Sequence, residues 1–239
     1  MIFYYVRHGD PIYDPDSLTE LGHKQAAALS KRFALYGLDE IYCSTSIRAQ
    51  MTAQPTCDVL NKEKTLLDWA NEGYAWGEFT VDNGKGGRCW TYQSLETKRK
   101  MNEPSVRALG MEWYKHPYFL AHSSFKEGTE RVNREADAFF EKLGFKHDRE
   151  NGCYRVIKKN GDRVALFAHE GFGKIFLSSI LDIPYPLVAA HLELGHSSVT
   201  VIHFDENNET TFPRVLQWSN DSHLYKENIL TGYHNSLDI

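Results

Sequence analysis

The chain has only four cysteines in 239 residues, Cys43, Cys57, Cys89 and Cys153, and no two are close enough to form a CxxC pair. That spacing excludes a disulfide scaffold and a thiolate zinc site, and four isolated thiols suit a reducing cytoplasm. No apolar run approaches the roughly 20 residues needed to cross a bilayer. The apolar start, Met1 to Val6, has neither a basic lead nor a small-residue cleavage site, so it reads as a first strand and not as a signal peptide. The 11 histidines show no HxH or HExxH spacing, which argues against a metallohydrolase. A basic surplus is missing too: 27 Lys and Arg face 32 Asp and Glu, interspersed along the chain, for a net charge of −5. This speaks against a nucleic-acid partner but leaves room for one basic pocket. There is no internal repeat, no low-complexity tract and no sustained heptad.

The rest is ordinary for a globular chain, with 41% hydrophobic and 25% charged residues and a length suited to one large α/β domain. Residues 2–6 form an apolar strand ended by Arg7-His8-Gly9-Asp10-Pro11. Ser17 and Glu20 stand at capping-box spacing, with Thr19 as a competing cap, ahead of an amphipathic helix that Gly37 stops. Strand Glu40–Ser44, a helix from Ser46 to about Leu60, and strand Thr65–Leu67 follow. Later, Thr129 reads as the cap of a helix ending near Gly144. Beyond it lie strands Tyr154–Ile157 and Arg163–Phe167, helix Gly171–Leu181, and strands Ser198–Phe204 and Val215–Trp218. Alternating strands and helices predict a three-layer, doubly wound, mostly parallel sheet with helices on both faces. Residues 74–127 break the alternation and read as an inserted helical lid segment within a single domain spanning 1–239. Its Trp76, Trp90, Tyr92 and Trp113 are placed to form the insertion's own core or to stack on a ligand, with core favoured.

Three strand ends carry chemistry: Val6-Arg7-His8-Gly9, Ser44-Thr45-Ser46-Ile47-Arg48-Ala49 and Phe167-Ala168-His169-Glu170-Gly171. In an open parallel sheet the ligand lies outside the carboxyl ends of the strands, so two histidines and two arginines converge on one edge. Helix N-termini there add donors for an anion. Arg7 and Arg48 offer planar forks for a phosphate, neutral His8 is a competent nucleophile toward phosphorus, and His169 is placed to stabilise the developing charge. A carboxylic acid must protonate the leaving alkoxide and later activate water. No metal or other cofactor is required by this set.

These motifs resemble the histidine phosphatase superfamily, which includes the phosphoglycerate mutases. Arg7-His8-Gly9 is similar to its defining motif, Leu18 to Ala26 to its first helix, Ile41 to Ala53 to its serine–arginine segment, Ala168 to Gly171 to its second histidine segment, and Asn220 to Leu224 to a C-terminal signature. The resemblance implies a phosphohistidine on His8 and a phosphate pocket of Arg7, Arg48 and His169. It places the general acid just after the third strand, where Asp68 and Glu72 both stand. It gives Ser44 and His196 as further candidates for contact with substrate, while His223 reads as a packing residue. The segment Asp10-Pro11-Ile12-Tyr13-Asp14 differs from the mutase pattern, which favours hydrolysis. The resulting expectation is a cytoplasmic, metal-independent phosphomonoesterase acting on a small phosphorylated metabolite, without a nucleic-acid or membrane partner. A phosphoglycerate mutase-like transferase and a non-catalytic phosphate-binding module are the alternatives.

Overall fold

A computed structural model of the chain describes residues 1–121 and 124–232. Strand β1 (Ile2–Arg7) leads into a hairpin of β2 (Pro11–Tyr13) and β3 (Asp16–Leu18), then α1 (Glu20–Tyr36), β4 (Glu40–Ser44), α2 (Ile47–Leu60) and β5 (Lys64–Leu67). Next come α3 (Glu72–Phe79), a hairpin of β6 (Thr80–Asp82) and β7 (Arg88–Trp90), and the short helices α4 (Leu95–Met101), α5 (Pro104–Arg107) and α6 (Pro117–Leu120). The chain then runs through α7 (Ser124–Lys142), β8 (Phe145–Asp148), β9 (Cys153–Val156), β10 (Arg163–Ala168), α8 (Glu170–Leu181) and α9 (Tyr185–His191). It ends with β11 (Val199–His203), β12 (Thr210–Thr211), β13 (Arg214–Asn220) and α10 (Ser222–Lys226).

Six strands form the central sheet in the order β13-β11-β1-β10-β4-β5. β1, β10, β4 and β5 are parallel, whereas β11 runs antiparallel to both β1 and β13. Alternation along β1 sends Tyr4 and Val6 to one face, with Leu29 and Phe33 of α1 and Ala49 and Ala53 of α2. Phe3 and Tyr5 go to the other face, with Phe140 of α7 and Phe172 and Phe176 of α8. The sheet is thus buried on both sides, as parallel strands require. All four cysteines are free, and no described helix is long and apolar enough to cross a membrane.

Local chemistry sets the helix starts. The Thr19 hydroxyl accepts from the Gly22 amide at 3.0 Å, so Thr19 and not Ser17 caps α1, while Ser17 lies in β3. Thr129 is not a cap: α7 already begins at Ser124, and the Thr129 hydroxyl donates back to the Phe125 carbonyl at 2.7 Å, satisfying itself inside the helix. β13 is longer than the sequence suggested, and the β2–β3 hairpin was not anticipated. In the stretch 74–127, Trp113 is buried against Phe119, Phe125 and Tyr185, at centroid distances of 4.9, 5.7 and 5.3 Å. It forms the local core that was favoured. Trp76, Trp90 and Tyr92 line a cleft, and Trp90 and Tyr92 also pack against the same core.

Candidate active site

The Arg-His-Gly turn after β1 is fixed by close backbone packing. A side chain at Gly9 would stand 2.8 Å from the Gly22 carbonyl oxygen, and one at Gly22 would stand 2.2 Å from that of Asp10, so both must be glycine. The Gly9 amide donates to the Thr52 hydroxyl at 2.9 Å, tying the turn to α2. His8 donates through Nδ1–H to the Gly9 carbonyl at 2.7 Å, which leaves the lone pair on Nε2. Arg48 donates through Nε to that Nε2 at 3.2 Å. Burial, then His169, Arg7 and Arg48, hold the His8 pKa well below its ordinary value, so the ring is neutral.

Arg7 is 4% exposed and held on three sides. Nη1 meets the Leu194 carbonyl and, at 3.0 Å, Glu170 Oε2; Nη2 donates to His196 Nε2 at 2.8 Å. His196 is oriented in turn by Asp10, 3.2 Å from its Nδ1. Arginine has five N–H donors. The buried Nε has no hydrogen-bond partner, leaving an idle edge on the fork suited to the oxygens of an oxyanion. Arg48 is oriented by Asp16, whose Oδ1 accepts from Nη1 at 2.9 Å while Oδ2 accepts from the Ile47 amide at 2.8 Å. Asp16 thereby caps α2, a role its own N-cap residue Ser46 does not fill through its side chain.

His169, with no exposed surface, stands where β10 gives way to α8. Its Nε2 lies 2.8 Å from the Ser44 hydroxyl and 3.2 Å from that of Ser46; its Nδ1 lies 3.1 Å from Arg48 Nη2 and 3.3 Å from Glu72 Oε2. Burial first, then Arg48 and Arg7, lower the His169 pKa well below the usual value. Ser44 is therefore placed behind His169 and His196 beside Arg7, each holding a neighbour.

The two candidate acids part company. Asp68 is exposed and bonded to the Thr45 and Tyr74 hydroxyls at 3.3 and 2.8 Å. Glu72, the first residue of α3, lies beside the histidines. Its Oε1 accepts from the Phe172 amide at the start of α8 at 2.9 Å, and Oε2 is the oxygen near His169. Burial raises its pKa to about 7, against the opposing pull of the Phe172 amide, Arg48 and Arg7. One atom each of His8, His169 and Glu72 fall within 4.8 Å of one another, a spacing that could hold a metal ion. The Arg48 guanidinium already bonds both histidines there, so a second cation would have to displace it. This donor set suits an anion better than a metal.

A cleft opens from this centre into two lobes of about 700 and 690 Å³, which share Tyr13, Glu72, Trp90 and Gln93 as their common wall. The first lobe is polar, lined by Arg7, Lys98, Glu170, Lys174 and Glu193 among others; the second includes Ile47 and Trp76. The Trp90 ring lies on Gly171, where an added Cβ would stand 2.3 Å from it. Sequence reasoning passed over Asp10, Asp16, Glu170 and Lys174. Only the last two left a local signal, an acid–base pair four residues apart directly after His169.

No curated protein matches the chain. Residues 3–80 match the histidine phosphatase superfamily (branch 1). Among solved structures, the chain is similar to a phosphoserine phosphatase from Entamoeba histolytica in complex with phosphoserine, with a TM-score of 0.59 and 15% identity over 93% of this chain and 98% of that one. It is also similar to a mycobacterial glucosyl-3-phosphoglycerate phosphatase, with a TM-score of 0.56 and 18% identity over 91% and 98% of the two chains. The alpha-ribazole phosphatase from Shigella flexneri gives 0.57 and 16% identity over 92% and 97%. The chain thus resembles the histidine phosphatase superfamily (branch 1) over residues 3–80 and shares the fold of these phosphatases along nearly its whole length.

Proposed function

We propose that this chain is a metal-independent phosphomonoesterase that passes the phosphoryl group through His8 Nε2. One observation carries the reading: the Gly9 carbonyl holds the His8 proton on Nδ1, so the lone pair of a neutral ring points at the same place as the two guanidinium groups. A phosphomonoester dianion docks its oxygens on Arg48 and on the idle Nε edge of Arg7. Without a ligand, His169 Nδ1 accepts from Arg48 Nη2 and Nε2–H donates to the Ser44 hydroxyl. When the phosphate draws Arg48 to its own oxygens and the Ser44 hydroxyl donates to Nε2 instead, the ring presents Nδ1–H to the phosphoryl group.

In the first half-reaction the Nε2 lone pair of His8 attacks phosphorus as the bond to the leaving oxygen breaks, and protonated Glu72 gives its proton to that oxygen. An alcohol departs, leaving a phosphohistidine and a Glu72 carboxylate. In the second half-reaction Glu72 takes a proton from water, the water oxygen attacks phosphorus, and the P–N bond breaks. Phosphate leaves and both residues return to their starting states. Phosphatases of phosphoserine, glucosyl-3-phosphoglycerate and alpha-ribazole phosphate on the same fold favour hydrolysis over transfer. Four free thiols accord with a reducing cytoplasm.

The test is release of phosphate from an aryl phosphate in EDTA. His8→Ala, folded by circular dichroism, loses about 10³-fold or more of kcat. Activity that survives the substitution overturns the covalent route, and activity that needs added metal overturns the metal-independent one. Phosphoryl exchange between acceptors without phosphate release identifies a transferase. Tight phosphate binding with neither reaction identifies a binding module.

A further inference from the structure

We infer that the leaving group this enzyme accepts is a neutral polyol, a sugar-like alcohol seated in the polar lobe, and that Glu193 selects it. The inference rests on the phosphomonoesterase reading and adds the substrate class to it. Its starting point is Lys174, which lines the polar lobe but is only 1% exposed. Its Nζ lies 3.1 Å from Glu170 Oε1, 3.4 Å from Glu193 Oε2 and 3.7 Å from the centre of the Tyr92 ring. Nζ donates a hydrogen bond to Glu193, pairs with Glu170 by charge and faces the Tyr92 ring. Glu170 also holds Arg7, whose idle edge is reserved for the phosphoryl group. The buried charges of this lobe are therefore neutralised among themselves.

What they present to a ligand follows from that closure. Glu193 is half-exposed, with its side chain at 42%, and of the about four acceptor lone pairs of a carboxyl group Lys174 engages one and a hydrogen bond shared with Glu170 involves another. Gln93, exposed on the shared wall, both donates and accepts. Lys98 adds a donor, and among the described residues no ion pair engages it. The Trp90 and Tyr92 rings stack, inclined by only 11° with centroids 5.7 Å apart, and Trp90 gives both lobes an aromatic wall. A carboxylate or second phosphate on the leaving group would be brought toward Glu170 and Glu193. An ammonium group would be brought toward Lys98, Lys174 and Arg7. A ring or chain of hydroxyls carries no charge for either set to oppose, donates to Glu193, accepts from Gln93 and Lys98, and lays its C–H face on the aromatic wall. Three buried ionisable groups are costly to assemble, and neither Lys174 nor Glu193 touches the reacting atoms.

The experiment compares kcat/KM for hexose 6-phosphates and pentose 5-phosphates with that for 3-phosphoglycerate, phosphoserine and an aryl phosphate, in the wild type and in Glu193→Gln. The sugar phosphates are expected to exceed both carboxylate-bearing esters by about ten-fold or more. Glu193→Gln is expected to shrink that ratio by about ten-fold, mainly through KM for the sugar phosphates. A preference for 3-phosphoglycerate or phosphoserine, or a ratio unmoved in Glu193→Gln, overturns the inference while the phosphatase stands. No hydrolysis of any ester in the panel removes the phosphatase reading and the inference with it.

Discussion

Arg48 spans the two histidines: Nε reaches His8 Nε2 at 3.2 Å and Nη2 reaches His169 Nδ1 at 3.1 Å, while Nη1 is anchored on Asp16 at 2.9 Å. Only a planar fork meets three partners in three directions at once, so lysine is not a conservative replacement here. Arg48→Lys is expected to lower kcat/KM for an aryl phosphate by about 10²–10³-fold with the fold intact. A loss below a few-fold would show that one charge, without the fork, is enough.

On the proposed mechanism, Glu72 gives the reaction its pH dependence. Burial, the largest influence, raises its pKa to about 7, so the acid form needed to protonate a leaving alkoxide is present below that pH and is lost above it. For an alkyl phosphate, kcat/KM is expected to fall roughly tenfold per pH unit above that point. His8 titrates well below its ordinary value and is already neutral there, so it does not produce this limb. Glu72→Gln should lower kcat/KM for alkyl phosphates by about 10²–10⁴-fold and remove the alkaline limb. Because kcat/KM does not report the second half-reaction, its value for an aryl phosphate, with a better leaving group, is affected far less. Equal losses on both substrates would contradict the assignment, and an alkaline limb that persists in the variant would move the acid to Asp68.

At Gly171 the backbone meets the Trp90 ring, and an alanine methyl would stand 2.3 Å from it. Because that ring is the outer end of a half-exposed side chain, it yields before the helix does. Gly171→Ala is expected to cost at most about 1–3 kcal/mol of stability. It should shift the near-ultraviolet tryptophan signal and raise KM, since Trp90 walls both lobes. An unchanged KM together with a large drop in melting temperature would assign Trp90 a packing role only.

Away from the cleft, the His147 side chain has no exposed surface and lies between two carboxylates, with Nδ1 3.0 Å from Asp137 and Nε2 2.9 Å from Asp182. Burial acts to lower its pKa, but the two carboxylates outweigh it and the net shift is upward. The stabilisation by the charged ring is complete below its ordinary pKa of about 6.5 and disappears as pH rises through the higher folded value. His147→Gln is expected to cost about 1.5–3 kcal/mol near pH 6 and clearly less near pH 9, read from urea unfolding at both. The same cost at both pH values would mean that the ring acts by shape alone.

The elements that carry His8, Arg48 and His169 were legible because each is an apolar strand running into a turn or a capped helix, and the strand-end rule then brings them together. Asp16 was not legible. It reaches Arg48 through a three-residue strand with no period of its own, 32 residues away along the chain. The choice between Asp68 and Glu72 depended on a single 3-10 turn at 68–70, which leaves one carboxylate in solvent and directs the other at α8. Thr129 misled because a threonine hydroxyl finds an acceptor as readily four residues back inside a helix as at its start. The aromatic residues of 74–127 follow no period, so only packing could separate the buried Trp113 from the cleft-lining Trp90.

The antiparallel course of β11 shapes how the site is assembled. The parallel strands contribute residues as the chain leaves the sheet, whereas residues 194–198 reach the same edge as the chain enters it. There the Leu194 carbonyl and His196 meet Arg7, the Ser198 carbonyl takes the Arg7 amide at 3.1 Å, and Ser197 is braced by His223 at 3.0 Å. The entering loop therefore supports Arg7 and, through the Ser197 amide that donates to the His8 carbonyl at 3.0 Å, the proposed nucleophile as well. Altering the entering loop would loosen Arg7 and His8 together while leaving the strand that delivers His169 in place, so affinity and turnover are expected to move as one.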